Sequence, residues 1–215
     1  MANQEKEYLC QLLAHLFAPP DEEMVTQIQR GNLHSFFRKY APVWPGSTDL
    51  LPGFLIEGEP EVVLKDLEHE YRRLFSDGKG EGVSLIESFY KHWTLDPGCP
   101  LPFATSQGHV MGDSALHLLD VYHRCGLEVD ETFGGCPDHL VMELEFFSYL
   151  YRWATDIEIR RFIEDHLDWI PLLREALGRS HSHPFYASIS GVLDLFLTSE
   201  RERLERRENG TTSIH

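Results

Sequence analysis

Apolar residues recur at three- and four-residue intervals along most of this chain, the spacing that lines one face of an α-helix. Leu9, Leu12, Leu13, Leu16 and Phe17 mark the first such stretch, and Pro19-Pro20 ends it. Met24, Val25 and Ile28 predict a short second helix stopped by Gly31. Leu33, Phe36, Phe37 and Tyr40 predict a third, which stops before Pro42. Residues 42–58, rich in Pro and Gly, read as a loop. Pro60 suits a first helical turn, and Val63, Leu64, Leu67, Tyr71, Leu74 and Phe75 carry that helix onward. Residues 77–82, DGKGEG, predict a turn. Residues 83–112 show no clean period and contain Pro97, Pro100 and Pro102, so they predict a long loop with room for one helical turn. A loop of that length in a compact domain is usually functional or mobile.

The second half repeats the helical pattern. Asp113 to Cys125 predicts a helix with Gly126 as its stop. Residues 127–136 form a connector ending in Gly134-Gly135. Pro137 is expected to open the most apolar helix, with Leu140, Val141, Leu144, Phe146, Phe147, Leu150, Tyr151 and Trp153 around most of its circumference. Such a helix is central and buried. Asp156 is placed to cap the next helix, Trp169 to Leu177 forms a short one stopped by Gly178, and Pro184 to about Arg206 forms the last. No alternating strand pattern, repeat or low-complexity tract interrupts this. The expected fold is all-α, one globular bundle of about 8–10 helices over residues 1–206. It comprises an N-terminal set (1–126), a hinge-like connector (127–136), a C-terminal set (137–206), and a flexible tail (207–215).

Charge narrows the function. Nineteen Lys and Arg against 35 Asp and Glu give a formal net charge of −16. An acidic surface repels phosphate backbones and anionic lipid heads, which argues against nucleic acid and stable membrane insertion. It attracts a basic peptide. No apolar run is long enough to span a bilayer. Cys10, Cys99, Cys125 and Cys136 form no CxxC pair, and the opening residues read as an amphipathic helix rather than a leader; together these point to the cytoplasm.

Catalytic motifs are sparse. There are 12 histidines, but no HExxH or Cys/His finger spacing. Asp138-His139 is an HD-like pair in reverse order. A metal-dependent phosphohydrolase centred on it would need further ligands, for which His109, His117, His123 and His166 are available. The phosphate-loop and GxSxG patterns are missing, and no cysteine sits in a recognisable nucleophile context. The residues favour a binding protein over an enzyme, with no catalytic, metal or cofactor-binding residue assigned.

Two segments carry a resemblance. The first is Tyr71-Arg72-Arg73-Leu74-Phe75, followed after a turn by Glu87-Ser88-Phe89-Tyr90. The second is Pro137-Asp138-His139-Leu140, then Glu143-Leu144 and Phe146-Phe147. Their order and spacing resemble the TorD/DmsD/NarJ family of redox-enzyme maturation chaperones, which reads Y-x-R-L-F, then P-x-E/G-S-V-Y/W, then E-P-D-H-x-x-x-E-L. His166-Leu167-Asp168-Trp169-Ile170-Pro171 is a further echo. The chain departs at Ser84-Leu85-Ile86, where the family often has Pro and an aromatic, and at Cys136, where it has an acid. The resemblance implies a helical cytoplasmic chaperone, monomer or dimer, needing no cofactor. Its partner would be the precursor of a molybdopterin-containing reductase or dehydrogenase. Such a chaperone binds the apo catalytic subunit, the twin-arginine signal peptide, or both, and delays export until the cofactor is inserted. Two readings stand beside it: the phosphohydrolase, and a helical assembly subunit that stays in a membrane-bound reductase complex.

A receptor for a basic, then apolar, signal needs acids beside an apolar groove. The expected client-binding residues are Glu87, Ser88, Tyr90, Glu128, Pro137, Asp138, His139 and Glu143. Ser88 and Tyr90 lie in the long loop, where binding residues concentrate. Asp138 is expected in the first turn of the central helix, against its positive end. Glu143, one turn on, is expected on a rim, because burial of an unpaired carboxylate is costly. Glu128, Asp130 and Glu131 give the connector a negative charge suited to a basic peptide.

Overall fold

The computed structural model describes residues 1–75, 82–129 and 133–212, with side chains described through residue 207. The predicted turn at 77–82 therefore falls, except for Gly82, outside the described residues, as do Asp130 and Glu131. Nine α-helices occur among the described residues: α1 (Asn3–Phe17), α2 (Glu22–Gln29), α3 (Asn32–Arg38), α4 (Pro60–Phe75), α5 (Asp113–Arg124), α6 (Leu140–Trp153), α7 (Asp156–His166), α8 (Ile170–Arg179) and α9 (Pro184–Thr212). Among the described residues, β pairing is limited to an isolated bridge, Ile86 with His139. The fold is all-α, as the helical periodicity predicts. The chain falls into two compact units, one of Met1–His15 with Ser84–Trp169, the other of Leu16–Val83 with Ile170 onward.

In the second unit, the segment read as a loop contains a 3-10 helix over Ser47–Phe54. It packs against α9, where Ser188 Oγ donates to the Leu50 carbonyl at 2.7 Å. Gly53 makes the approach possible, since a Cβ there would sit 2.5 Å from the Pro184 carbonyl oxygen. Phe54 stacks on Phe37 and meets Phe185 edge-on. Tyr186 bonds the Leu67 carbonyl and joins Tyr71 and Phe75 in a ring cluster. Gly178 does not stop α8, which runs to Arg179. The backbone of α9 stays helical to Thr212, six residues past the predicted end near Arg206.

The first unit is built around α6. Leu140, Val141, Leu144, Phe146, Phe147 and Tyr151 are buried on it, as predicted, while Trp153 stands 69% exposed. Phe162 of α7 packs on Phe146 and Phe147, and Tyr122 of α5 on Phe146. Lys6 of α1 lies over the Tyr151 ring, and Glu7 pairs with Arg152. Gly126 ends α5 with φ +72°. Its N–H reaches the His123 carbonyl and that of Leu127 reaches Tyr122, a Schellman closure. The N-cap of α7 is Thr155 rather than Asp156, because Thr155 and Glu158 form a reciprocal capping box. The long loop has one 3-10 turn, Glu87–Phe89. Its middle is tied to the start of α5, where Asp113 Oδ2 accepts from the Thr94 hydroxyl and the Leu95 N–H.

Candidate functional site

Helix α6 begins at Leu140, three residues later than Pro137 predicts, because the preceding residues are engaged elsewhere. The Glu87 N–H donates to the Asp138 carbonyl at 2.9 Å, and the Leu140 N–H to the Leu85 carbonyl at 2.8 Å. Asp138 is therefore not in the first helical turn. Its Oδ2 accepts the Ser88 N–H at 2.9 Å and the Ser88 hydroxyl. His139 is the N-cap instead, its Nδ1 accepting the Val141 N–H at 3.2 Å. Its ring stacks on Phe133. Burial pushes His139 down to about 4, so the imidazole stays neutral and keeps its cap.

Glu143 is not on a rim. It is fully buried, as are Glu87, Ser88, Pro137 and Asp138. Its burial disfavours the charged carboxylate. Burial, with Glu87 and Asp138 nearby, holds its pKa well above the usual carboxylate range, and it shares a hydrogen bond with Glu87. Its Oε2 accepts Trp169 Nε1–H at 3.2 Å, and that N–H also reaches the His166 carbonyl at 2.9 Å. Burial likewise raises Asp138, against the pull of its Ser88 bonds. Tyr122 donates to the Pro137 carbonyl at 3.0 Å; burial and the Glu143, Glu87 and Asp138 carboxyls push its phenol far up. Lys91 supplies the compensating charge. Its Nζ lies 2.6 Å from both Glu87 Oε1 and Asp168 Oδ1, and these partners outweigh burial to raise its pKa. His166 Nδ1 meets Glu87 Oε2 at 3.1 Å, and His166 Nε2 meets His117 Nδ1 at 2.7 Å. Tyr90 is half-buried, stacked on Trp169 and bonded to the Ser84 carbonyl.

The structure thus gathers Glu87, Ser88, Pro137, Asp138, His139 and Glu143 into one buried polar network, with Tyr90 at its edge. Glu128 is apart and exposed. An open groove of about 490 Å³ between α5, α6 and α7 meets this network at His166, the partner of Glu87. Its floor is Phe146, Leu150 and Phe162; His117 and His166 also line it, and Trp153, Glu158, Arg161 and Asp165 stand exposed around it. Past Phe146 and Tyr149 a smaller recess of about 190 Å³ adds Glu128 and Glu145. Sequence reading missed Trp153, Asp165 and His117 as groove residues. An aromatic at the end of an apolar helix reads as core by periodicity, and lone Asp and His residues carry no signal. Among the described residues no group of three His, Cys, Asp or Glu side chains converges as a metal ion would require.

The nitrate reductase delta subunit family profile matches residues 38–185. No curated protein matches the chain significantly. A crystal structure of a candidate redox enzyme maturation protein from Archaeoglobus fulgidus is similar over 93% of each chain, at 19% identity and a TM-score of 0.49. The profile covers both segments that carry the TorD/DmsD/NarJ resemblance, and no helix among the described residues is long and apolar enough to cross a membrane. The chain belongs to the nitrate reductase delta subunit family, a family of NarJ/TorD-type maturation chaperones rather than catalysts.

Proposed function

We propose that this protein is a cytoplasmic chaperone whose α5–α6–α7 groove holds the twin-arginine signal peptide of a molybdopterin oxidoreductase precursor, delaying export while the apo subunit receives its cofactor. The observation that carries the reading is the groove itself. An apolar floor of Phe146, Leu150 and Phe162 is flanked by two exposed acids of α7, Glu158 and Asp165, and the adjoining recess adds Glu128 and Glu145. A segment with a basic start and a short apolar stretch complements that surface in both charge and length of apolar contact. The exposed Trp153 ring offers a cation or an apolar side chain a large face. Glu128 would meet the client directly. Glu87, Ser88, Asp138, His139 and Glu143 would act from beneath, by fixing the elements that form the groove.

Calorimetry with a twin-arginine leader peptide tests this. Binding is expected to weaken as salt rises, and Glu128→Lys with Glu145→Lys is expected to lower affinity about tenfold and to flatten the salt dependence. Wild-type affinity in that double variant, at low and high salt alike, would remove the groove from client recognition.

A further inference from the structure

The groove contains two imidazoles whose hydrogen bonds fix each other's protons. His166 is 2% exposed, and His117 stands exposed on α5. Glu87 is ion-paired through Oε1 with Lys91, so its Oε2, 3.1 Å from His166 Nδ1, acts as acceptor and the ring nitrogen as donor. His166 Nε2 is then a bare acceptor and His117 Nδ1 donates to it over 2.7 Å. The ring protons are assigned here by the bonding network. The neutral His117 is left with an unprotonated Nε2, which has no partner among the described residues. The charged and titratable groups around the pair are Glu87, Glu143 and Lys91 behind His166, and Glu158, Arg161 and Asp165 on the groove side. Of further titratable groups, the groove lining includes Tyr149 of α6 and Cys125 just after α5.

Resting on the reading of the groove as a signal-peptide site, we propose that His117 determines specificity there. Its Nε2 accepts a hydrogen bond from an arginine guanidinium of the bound segment, while the Asp165 carboxylate takes the charge. A guanidinium presents five N–H groups in a planar fork, so it can serve an imidazole and a carboxylate together while lying against an aromatic face. A lysine ammonium lacks that plane.

The test is calorimetry with a twin-arginine leader and its twin-lysine counterpart. Wild type is expected to prefer arginine about tenfold, the scale of one good hydrogen bond. His117→Phe is expected to show no preference. His117→Gln, whose side-chain carbonyl is an acceptor, is expected to keep it. A folded His117→Phe with the wild-type preference would overturn this inference and leave the groove reading intact. If that variant does not fold, loss of the preference in His117→Gln would overturn it equally. Binding of neither peptide to wild type would overturn both readings.

Discussion

Replacing Glu143 by Gln should stabilise the protein, and increasingly so as pH rises. Glu143 is fully buried, accepts the Trp169 indole N–H through Oε2, and shares a hydrogen bond with Glu87. Two adjacent carboxyls keep such a bond only while a proton lies between them, and burial with the Glu87 and Asp138 charges holds that proton on Glu143. In the unfolded chain the same group ionises from about pH 4.3 upward. The folded state therefore binds the extra proton, and stability is lost as pH rises from the unfolded value through the folded one. The slope is about 1.4 kcal/mol per pH unit, which totals at most about 4 kcal/mol by pH 7. Glutamine reproduces the protonated carboxyl: its carbonyl oxygen accepts from Trp169 and its amide N–H donates to Glu87. The variant and wild type should therefore have similar denaturation midpoints near pH 4 and diverge above it. Urea titrations followed by far-UV circular dichroism at half-unit pH steps read this directly. Parallel curves, or a variant less stable than wild type at pH 8, would refute a protonated Glu143.

The neighbouring His139 behaves in the opposite sense. Burial holds it near 4, so the folded state resists protonation, and stability is lost as pH falls from the ordinary histidine range through that value. His139→Asn keeps a side-chain oxygen to cap the Val141 N–H and should flatten that acid limb in the same titrations. Gly53→Ala places a Cβ 2.5 Å from the Pro184 carbonyl and should lower stability by about 1–3 kcal/mol, seen as a drop in melting temperature. Trp153→Ala removes an exposed ring, so the melting temperature should hardly move while leader-peptide affinity falls about tenfold or more.

The helices were legible because their signals are local. Gly126 closes α5 as a Schellman residue should, and Gly31, at φ +69°, separates α2 from α3. The 3-10 helix at Ser47–Phe54 was not, since its stability comes from the fit of Gly53 against Pro184 and Ser188, more than 130 residues away. The late start of α6 has the same origin: Pro137 and Asp138 carry good helix-start chemistry, but Ser88 and Glu87 claim the Asp138 carboxylate and carbonyl. The resemblance brought the right residues together. It did not show their depth, because a buried carboxylate and a rim carboxylate are the same letter, and only the partners, here Lys91, His166 and Trp169, distinguish them.

That depth assigns the two sets of residues different work. The network joins residues 137–143 to a loop with no periodicity of its own, residues 84–91, which a single β-bridge and the Ser88–Asp138 bonds clamp to the start of α6. The clamped loop presents Glu87 to His166, and so to α7, while Tyr122 ties α5 to Pro137. All three walls of the groove are thereby referenced to one buried point. An acid removed from this point leaves donors such as the Ser88 N–H unsatisfied and loosens every wall at once, whereas an acid removed from the rim changes only the local potential. Substitutions at Ser88, Asp138 or Glu143 should therefore appear first in stability and in the binding of every ligand alike. Those at Glu128, Glu145, Trp153 and Asp165 should appear in affinity and in the choice between ligands, on an unchanged fold.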